Sequence, residues 1–108
     1  MDTFKRSDAI INNSRTLLYG PVAASTTAIV FAGVFSNIDT TNKSQHKLTL
    51  EIRLSDETTY FKQFQDIPIE YGGSSKCPKI ALATGESVYG TADANSSISA
   101  SLNILERT

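Results

Sequence analysis

The chain has no tryptophan, one cysteine, one histidine and three prolines in 108 residues. Each scarcity excludes something. With Cys77 alone, no disulfide can form within the chain and no thiol cluster can hold a metal. Cys77, beside Pro78, reads as a small structural core residue, and its isolation fits synthesis in a reducing cytosol. Without tryptophan, a flat aromatic platform for sugars would have to come from exposed Tyr and Phe, and the positions of those residues read mostly as core. Ten basic and eleven acidic residues are scattered along the chain, giving a net charge of −1. There is no basic block to follow a phosphate backbone, so nucleic acid is not an expected partner. No apolar run approaches the length of a membrane-spanning helix, so no membrane partner is expected either. Residues 1–14 lack the apolar stretch of a signal peptide.

The chain does hold many short β-forming runs separated by polar turns. A length of 108 residues fits one domain. Residues 47–54 (KLTLEIRL) alternate without a break: Leu48, Leu50, Ile52 and Leu54 point one way, and Lys47, Thr49, Glu51 and Arg53 the other. Residues 97–105 (SISASLNIL) do the same, with Ile98, Ala100, Leu102 and Ile104 on the core side. Residues 27–38 (TAIVFAGVFSNI) differ, because both parities are apolar. Ile29, Phe31 and Phe35 fall on one face and Val30, Ala32 and Val34 on the other. In a two-layer domain only one face meets the core, so the second face is expected to meet an arm or another subunit. Gly33 is a candidate bulge. Residues 15–19 end at Gly20-Pro21, and Pro68 marks residues 66–71 as an edge strand or extended connector. Residues 58–64, 76–83 and 86–91 complete a set of about eight strands.

The expected fold is therefore all-β. It is an antiparallel β-sandwich of about eight strands, jelly-roll or Ig-like, over residues 15–108. Residues 1–14 are expected to form an extended N-terminal arm anchored by Phe4, Ile10 and Ile11. Deleting residues 1–12 should then leave the domain folded and weaken assembly.

Chemistry is sparse. His46 would need an orienting carboxylate and a nucleophile to serve as a general base, and no nucleophile elbow is present. It reads as a solvent-facing or capping residue. Asp56-Glu57 is the one adjacent acidic pair, and it sits in a turn that offers no cleft. The acids and amides of residues 39–42 (DTTN) are a weak calcium candidate. No catalytic, cofactor-binding or metal site is expected, and the chain does not read as an enzyme.

Three stretches carry a resemblance. They are PVAASTTAIVF at residues 21–31, SNIDTT at 36–41, and ATGESVYGTADANSSISASLNILE at 83–106. With the Arg-Thr-Leu-Leu start at residue 15, this pattern resembles the small β-sandwich virion structural proteins of tailed bacteriophages, especially those of aquatic hosts. It covers about residues 15–107, mostly at core and turn positions. The resemblance implies a non-enzymatic virion part, assembled in the host cytoplasm. A capsid decoration (cement) protein fits best; a head–tail adaptor, neck or tail accessory protein is the alternative, with a carbohydrate-binding module behind both. Implied partners are the major capsid protein or other virion proteins. A homo-oligomer is implied too, a trimer if cement and a ring if neck or tail. The expected contact residues are Phe4, Ile10 and Ile11 in the arm, with Val30 and Val34 on the second face of the apolar strand.

Overall fold

The computed structural model describes residues 2–108. Those residues form nine strands and no helix. They are β1 (Asp2–Ile11), β2 (Thr16–Tyr19), β3 (Thr27–Asn37), β4 (His46–Arg53), β5 (Tyr60–Ile69), β6 (Ser74–Lys76), β7 (Ile80–Leu82), β8 (Ser87–Ala92) and β9 (Ile98–Arg107). All pairings are antiparallel. One sheet runs β1-β9-β3-β6, with β7 also on β3; the other runs β2-β8-β4-β5. The two sheets pack face to face and enclose a single apolar core.

The pairing is nested. β1 pairs with β9, β2 with β8, β3 with β6 and β7, and β4 with β5. The chain is thus one long antiparallel ribbon whose tip is the β4–β5 turn, rolled up so that β9 also meets β3 and β8 also meets β4. The tip is held by Asp56. Its carboxylate accepts the backbone N–H groups of Thr58 and Thr59, both at 2.9 Å, and the Thr59 hydroxyl at 2.6 Å. These bonds favour the charged form and push its pKa down to about 2. The adjacent acids at 56 and 57 are therefore turn chemistry.

The alternation read in two segments is present. Ile98, Ala100, Leu102 and Ile104 of β9 are buried, as are Leu48 and Leu50 of β4. Three other segments differ from expectation. Residues 2–11, expected as an arm, lie along β9 over ten residue pairs as β1. Their odd positions face inward, and Ile11 is fully buried. Ser, Asp and Lys mask this alternation in the sequence, because β1 is an edge strand with little core to cover. The segments expected as separate strands before and after residue 65 form one strand, β5. Its pairing with β4 slips between Leu48 and Leu50, where Asp66 adopts a left-handed φ of 55°. Pro68 does lie on an edge strand, where its missing N–H costs no ladder bond. Residues 76–83, expected as one strand, are split into β6 and β7 around Pro78.

The bulge in β3 falls at Phe31 rather than Gly33. Val30 pairs with Ile104 and Ala32 with Asn103, leaving Phe31 as the extra residue. Side-chain parity inverts there: Ala28 and Val30 point inward before it, Phe35 and Asn37 after it. Gly33 serves a different need. A Cβ at that position would lie 2.7 Å from the Ser101 carbonyl oxygen and 2.9 Å from a Leu102 methyl.

Two outcomes follow for stability. Leu102→Ala should cost about 2–5 kcal/mol, because it opens a cavity between β9 and the opposite sheet, whereas Ser99→Ala on the outer face should stay within about 0.5 kcal/mol; urea denaturation of the two variants separates these cases. Deleting residues 1–11 should unfold the domain, since β9 loses its outer partner and the core loses Ile11; circular dichroism of the truncated chain checks this, and a native spectrum with an unchanged midpoint would restore the arm.

Candidate contact surface and histidine cluster

The inverted parity of β3 decides what the first sheet shows to solvent. Cross-strand neighbours share a face, so the register places Phe4, Leu105, Ile29 and Ala81 in one row across four strands. Phe31 stands beside this row, and its ring meets Phe4 edge to face at 6.0 Å. Farther along, Asp8, Ser101 and Val34 form another row, and Ile10 lies opposite Ser99. Exposure is 72% for Phe4, 48% for Ile10, 43% for Ile29, 40% for Phe31 and 37% for Val34. Ion pairs border the apolar row: Arg107 with Asp2 at 3.0 Å and Arg6 with Asp8 at 3.1 Å. An apolar patch rimmed by charge is the form contact surfaces take.

Of the expected contact residues, Phe4, Ile10 and Val34 lie on this outer face. Ile11 and Val30 do not: both are fully buried between the sheets. Ile11 turns inward because it follows Ile10 by one residue in a regular strand. Val30 turns inward because the bulge follows it, which periodicity alone could not locate. Ile29 and Phe31, assigned from the sequence to the same face as the core residue Phe35, are instead exposed.

The second sheet carries a polar and aromatic cluster that the sequence left as an ordinary wet face. Glu51 is buried, though its strand parity is outward. Arg15 covers it, donating from Nε to Oε1 at 3.1 Å and from a terminal nitrogen to Oε2 at 3.3 Å. The Arg15 guanidinium also stacks on Tyr60 at 3.7 Å, and Tyr60 meets Tyr89 edge to face at 5.7 Å. Arg15 lies before β2, Tyr60 opens β5, and Tyr89 sits beside Glu51 from β8. The cluster satisfies its charges internally, and its rings do not form a flat sugar platform.

His46 is not solvent-facing. It is buried between two carboxylates, with Nε2 at 2.6 Å from Asp39 Oδ2 and Nδ1 at 2.6 Å from Asp93 Oδ1. Both ring nitrogens face carboxylate oxygens, an arrangement that favours the doubly protonated, charged ring. Asp39 Oδ1 meanwhile accepts the N–H groups of Thr41 and Asn42 at 3.2 and 3.0 Å. The weak calcium loop is therefore an Asp-led turn whose oxygens are occupied. Among the described residues no group of three or more His, Cys, Asp or Glu is placed to hold a metal ion. The cluster clasps the turn after β3, the start of β4 and the β8–β9 turn. No hydroxyl or thiol joins it, so it has the orienting carboxylate of a catalytic dyad without a nucleophile. Cys77 is also buried, and desolvation pushes its thiol up to about 11, away from the reactive thiolate.

Comparison of the chain with protein-family models and with curated proteins finds no match.

The clasp makes stability depend on pH. Hydrogen bonding to Asp39, then to Asp93, raises the His46 pKa above 6.5 against the opposing effect of burial. Its contribution is complete below pH 6.5 and is lost as pH rises through the raised value. Asp39 is held below 3.8, first by the Asn42 backbone N–H and then by His46. Its contribution is present above pH 3.8 and is lost as pH falls through the lowered value. The urea midpoint should thus be higher at about pH 6 than at about pH 9, and the difference should shrink in His46→Gln. An NMR titration placing His46 at or below 6.5 would contradict the clasp.

Proposed function

We infer that the chain is a non-enzymatic virion structural protein, and that it works as a capsid decoration protein bound to the shell through the outer face of the β1-β9-β3 sheet. The observation that carries this reading is the nested strand order. Counting β6 and β7 as one strand interrupted at Pro78, eight strands form two four-stranded sheets, β1-β9-β3-β6/β7 and β2-β8-β4-β5. That order supports reading the sandwich as a jelly roll, the rolled ribbon with two Greek keys, in preference to an Ig-like domain. Viral capsid proteins are prominent users of this architecture, alongside lectin domains and cupins. Fold alone does not assign function, so the surface must supply the rest.

Two features of the surface favour assembly over the other uses of this roll. Phe4, Ile29 and Phe31 present large apolar groups on an open sheet face, where subunit contact removes them from water. On full burial the remaining exposure corresponds to about 1 kcal/mol each for Ile29 and Phe31 and about 2 kcal/mol for Phe4, so a few such side chains suffice for a repeated, individually weak contact. The inward positions are mostly apolar (Ile, Leu, Val, Ala, Phe and Cys77), with Asn37 and Ser87 among the few buried polar groups, and so offer an internal ligand little polar chemistry. The lectin use wants accessible rings gathered in one plane; Tyr60 and Tyr89 are engaged with Arg15, Arg53 and each other, and the exposed rings Phe61 and Tyr71 stand at opposite ends of β5, on it and just after it. The resemblance to phage virion sandwiches, carried by residues 21–31, 36–41 and 83–106, points the same way.

In this reading copies of the chain sit on the major capsid protein and brace the shell by mass action, because they bind the assembled state alone. Copy number per particle is the discriminating measurement. Quantitative mass spectrometry of purified virions should find hundreds of copies, and particles lacking the chain should rupture at lower temperature. About six to twelve copies would place it in a neck or tail ring instead. Phe31→Ser should leave the unfolding free energy within about 1 kcal/mol of wild type in urea titration while lowering occupancy on particles.

A further inference from the structure

We propose that two copies of this chain pair through β1, antiparallel and about a two-fold axis at Ser7, to form one continuous sheet across a dimer. β1 is the outer strand of its sheet: it pairs with β9 on one side, and no other described strand pairs with it. An unpaired strand edge is a template for another strand. Native edges are usually interrupted by proline, bulges or short length. β1 has none of these, running ten residues in unbroken register. Its one inward-pointing cation, Lys5, is already bound to Glu106 at 3.0 Å. On the inner side β1 touches β2, where the Ser7 hydroxyl donates to the Leu18 carbonyl oxygen at 2.5 Å beside a cleft of about 460 Å³ lined by Lys5, Leu17 and Tyr19.

The occupant is specified by the outward residues of β1, which read Phe4, Arg6, Asp8, Ile10. This order is apolar, cation, anion, apolar, and it is self-complementary when reversed. A dyad at Ser7 sets Arg6 opposite Asp8 of the second copy, and Phe4 opposite Ile10, each twice. The next registers that keep outward faces together are unfavourable. One sets Arg6 against Arg6 and Phe4 against Asp8; the other sets Asp8 against Asp8. Directly opposed like charges disfavour pairing and opposed unlike charges favour it. A one-residue slip would put inward side chains against outward ones.

Two further observations agree with this occupant. Phe4 and Ile10 are among the most exposed large apolar residues, at opposite ends of the strand, so only a reversed copy brings them together. Beside Ile10 lies a shallow depression of about 520 Å³, bordered by Arg6, Asp8, Ser99 and Ser101, positioned for a Phe4 ring from the second copy. The Arg6–Asp8 pair within the chain is exposed on both sides, so exchanging it for pairs between copies requires little desolvation. The contact closes on itself about a two-fold axis, and it is independent of the virion reading and of any three-fold or ring contact made elsewhere.

The test is sedimentation of the full chain over a concentration series, for wild type, Arg6→Asp, Asp8→Arg and the double variant. Wild type should be a dimer at micromolar to millimolar concentration. Either single variant opposes like charges twice and should weaken the dimer by at least about tenfold. The double variant restores opposite charges with the signs exchanged and should recover it. Both substitutions are at exposed positions, and circular dichroism checks the fold; if one single variant misfolds, the other carries the comparison. A wild type that stays monomeric overturns the proposal. So does an oligomer indifferent to the single changes, or a double variant no better than the singles. Those outcomes leave the copy number on virions unaffected, so failure here is distinct from failure of the decoration reading.

Discussion

Everything in the first sheet depends on β9 lying between β1 and β3. Its alternation puts Ile98, Ala100, Leu102 and Ile104 against the opposite sheet, where each is essentially removed from water. Burial of one such side chain contributes roughly 1.5–3 kcal/mol for Leu or Ile, so slipping β9 by one residue would forfeit several such terms together. Its register is therefore the best-determined feature of the fold. β1 and β3 must conform to it. β1 does so as a regular edge. β3 has more apolar residues than one inward face can take, and it resolves the excess with a bulge at Phe31.

That bulge decides what the sheet exposes. Without it, Ile29, Phe31 and Phe35 would share one face and Val30 and Val34 the other. With it, the deepest side chains are Val30 and Phe35, and the residues turned outward are Ile29, Phe31 and Val34. Phe31 then meets Phe4 across the sheet, and β1 extends the patch to the edge. The exposed apolar patch is built from strands distant in sequence, held in line by ladder hydrogen bonds.

The polar clusters follow the same logic of convergence. Asp39, His46 and Asp93 come from two turns and the start of β4 at one end of the roll, and Arg15, Glu51, Tyr60 and Tyr89 from four strands or their flanks. Each buries a charge and supplies the partner that burial demands. His46 and Glu51 both looked solvent-exposed because their partners are far away in the chain. The proximity of Asp39 to His46 was the one visible clue, a turn-forming acid seven residues before a histidine.

By itself the sequence determined the class of fold, the alternating strands β4 and β9, the edge or connector character of the Pro68 segment and the impossibility of a disulfide within the chain. These rest on local rules: side-chain period, proline's missing donor and the number of cysteines. It also pointed to an excess of apolar residues in 27–38 and to Phe4, Ile10 and Val34 as surface. Tertiary structure alone decided that residues 2–11 are a strand of the sheet, that β5 is continuous, that Ile11 and Val30 are core, and that His46 is clasped between carboxylates. Each of those depends on which strand lies alongside another. A bulge or an edge pairing is chosen by the fit of two distant segments, and neither segment records that fit on its own.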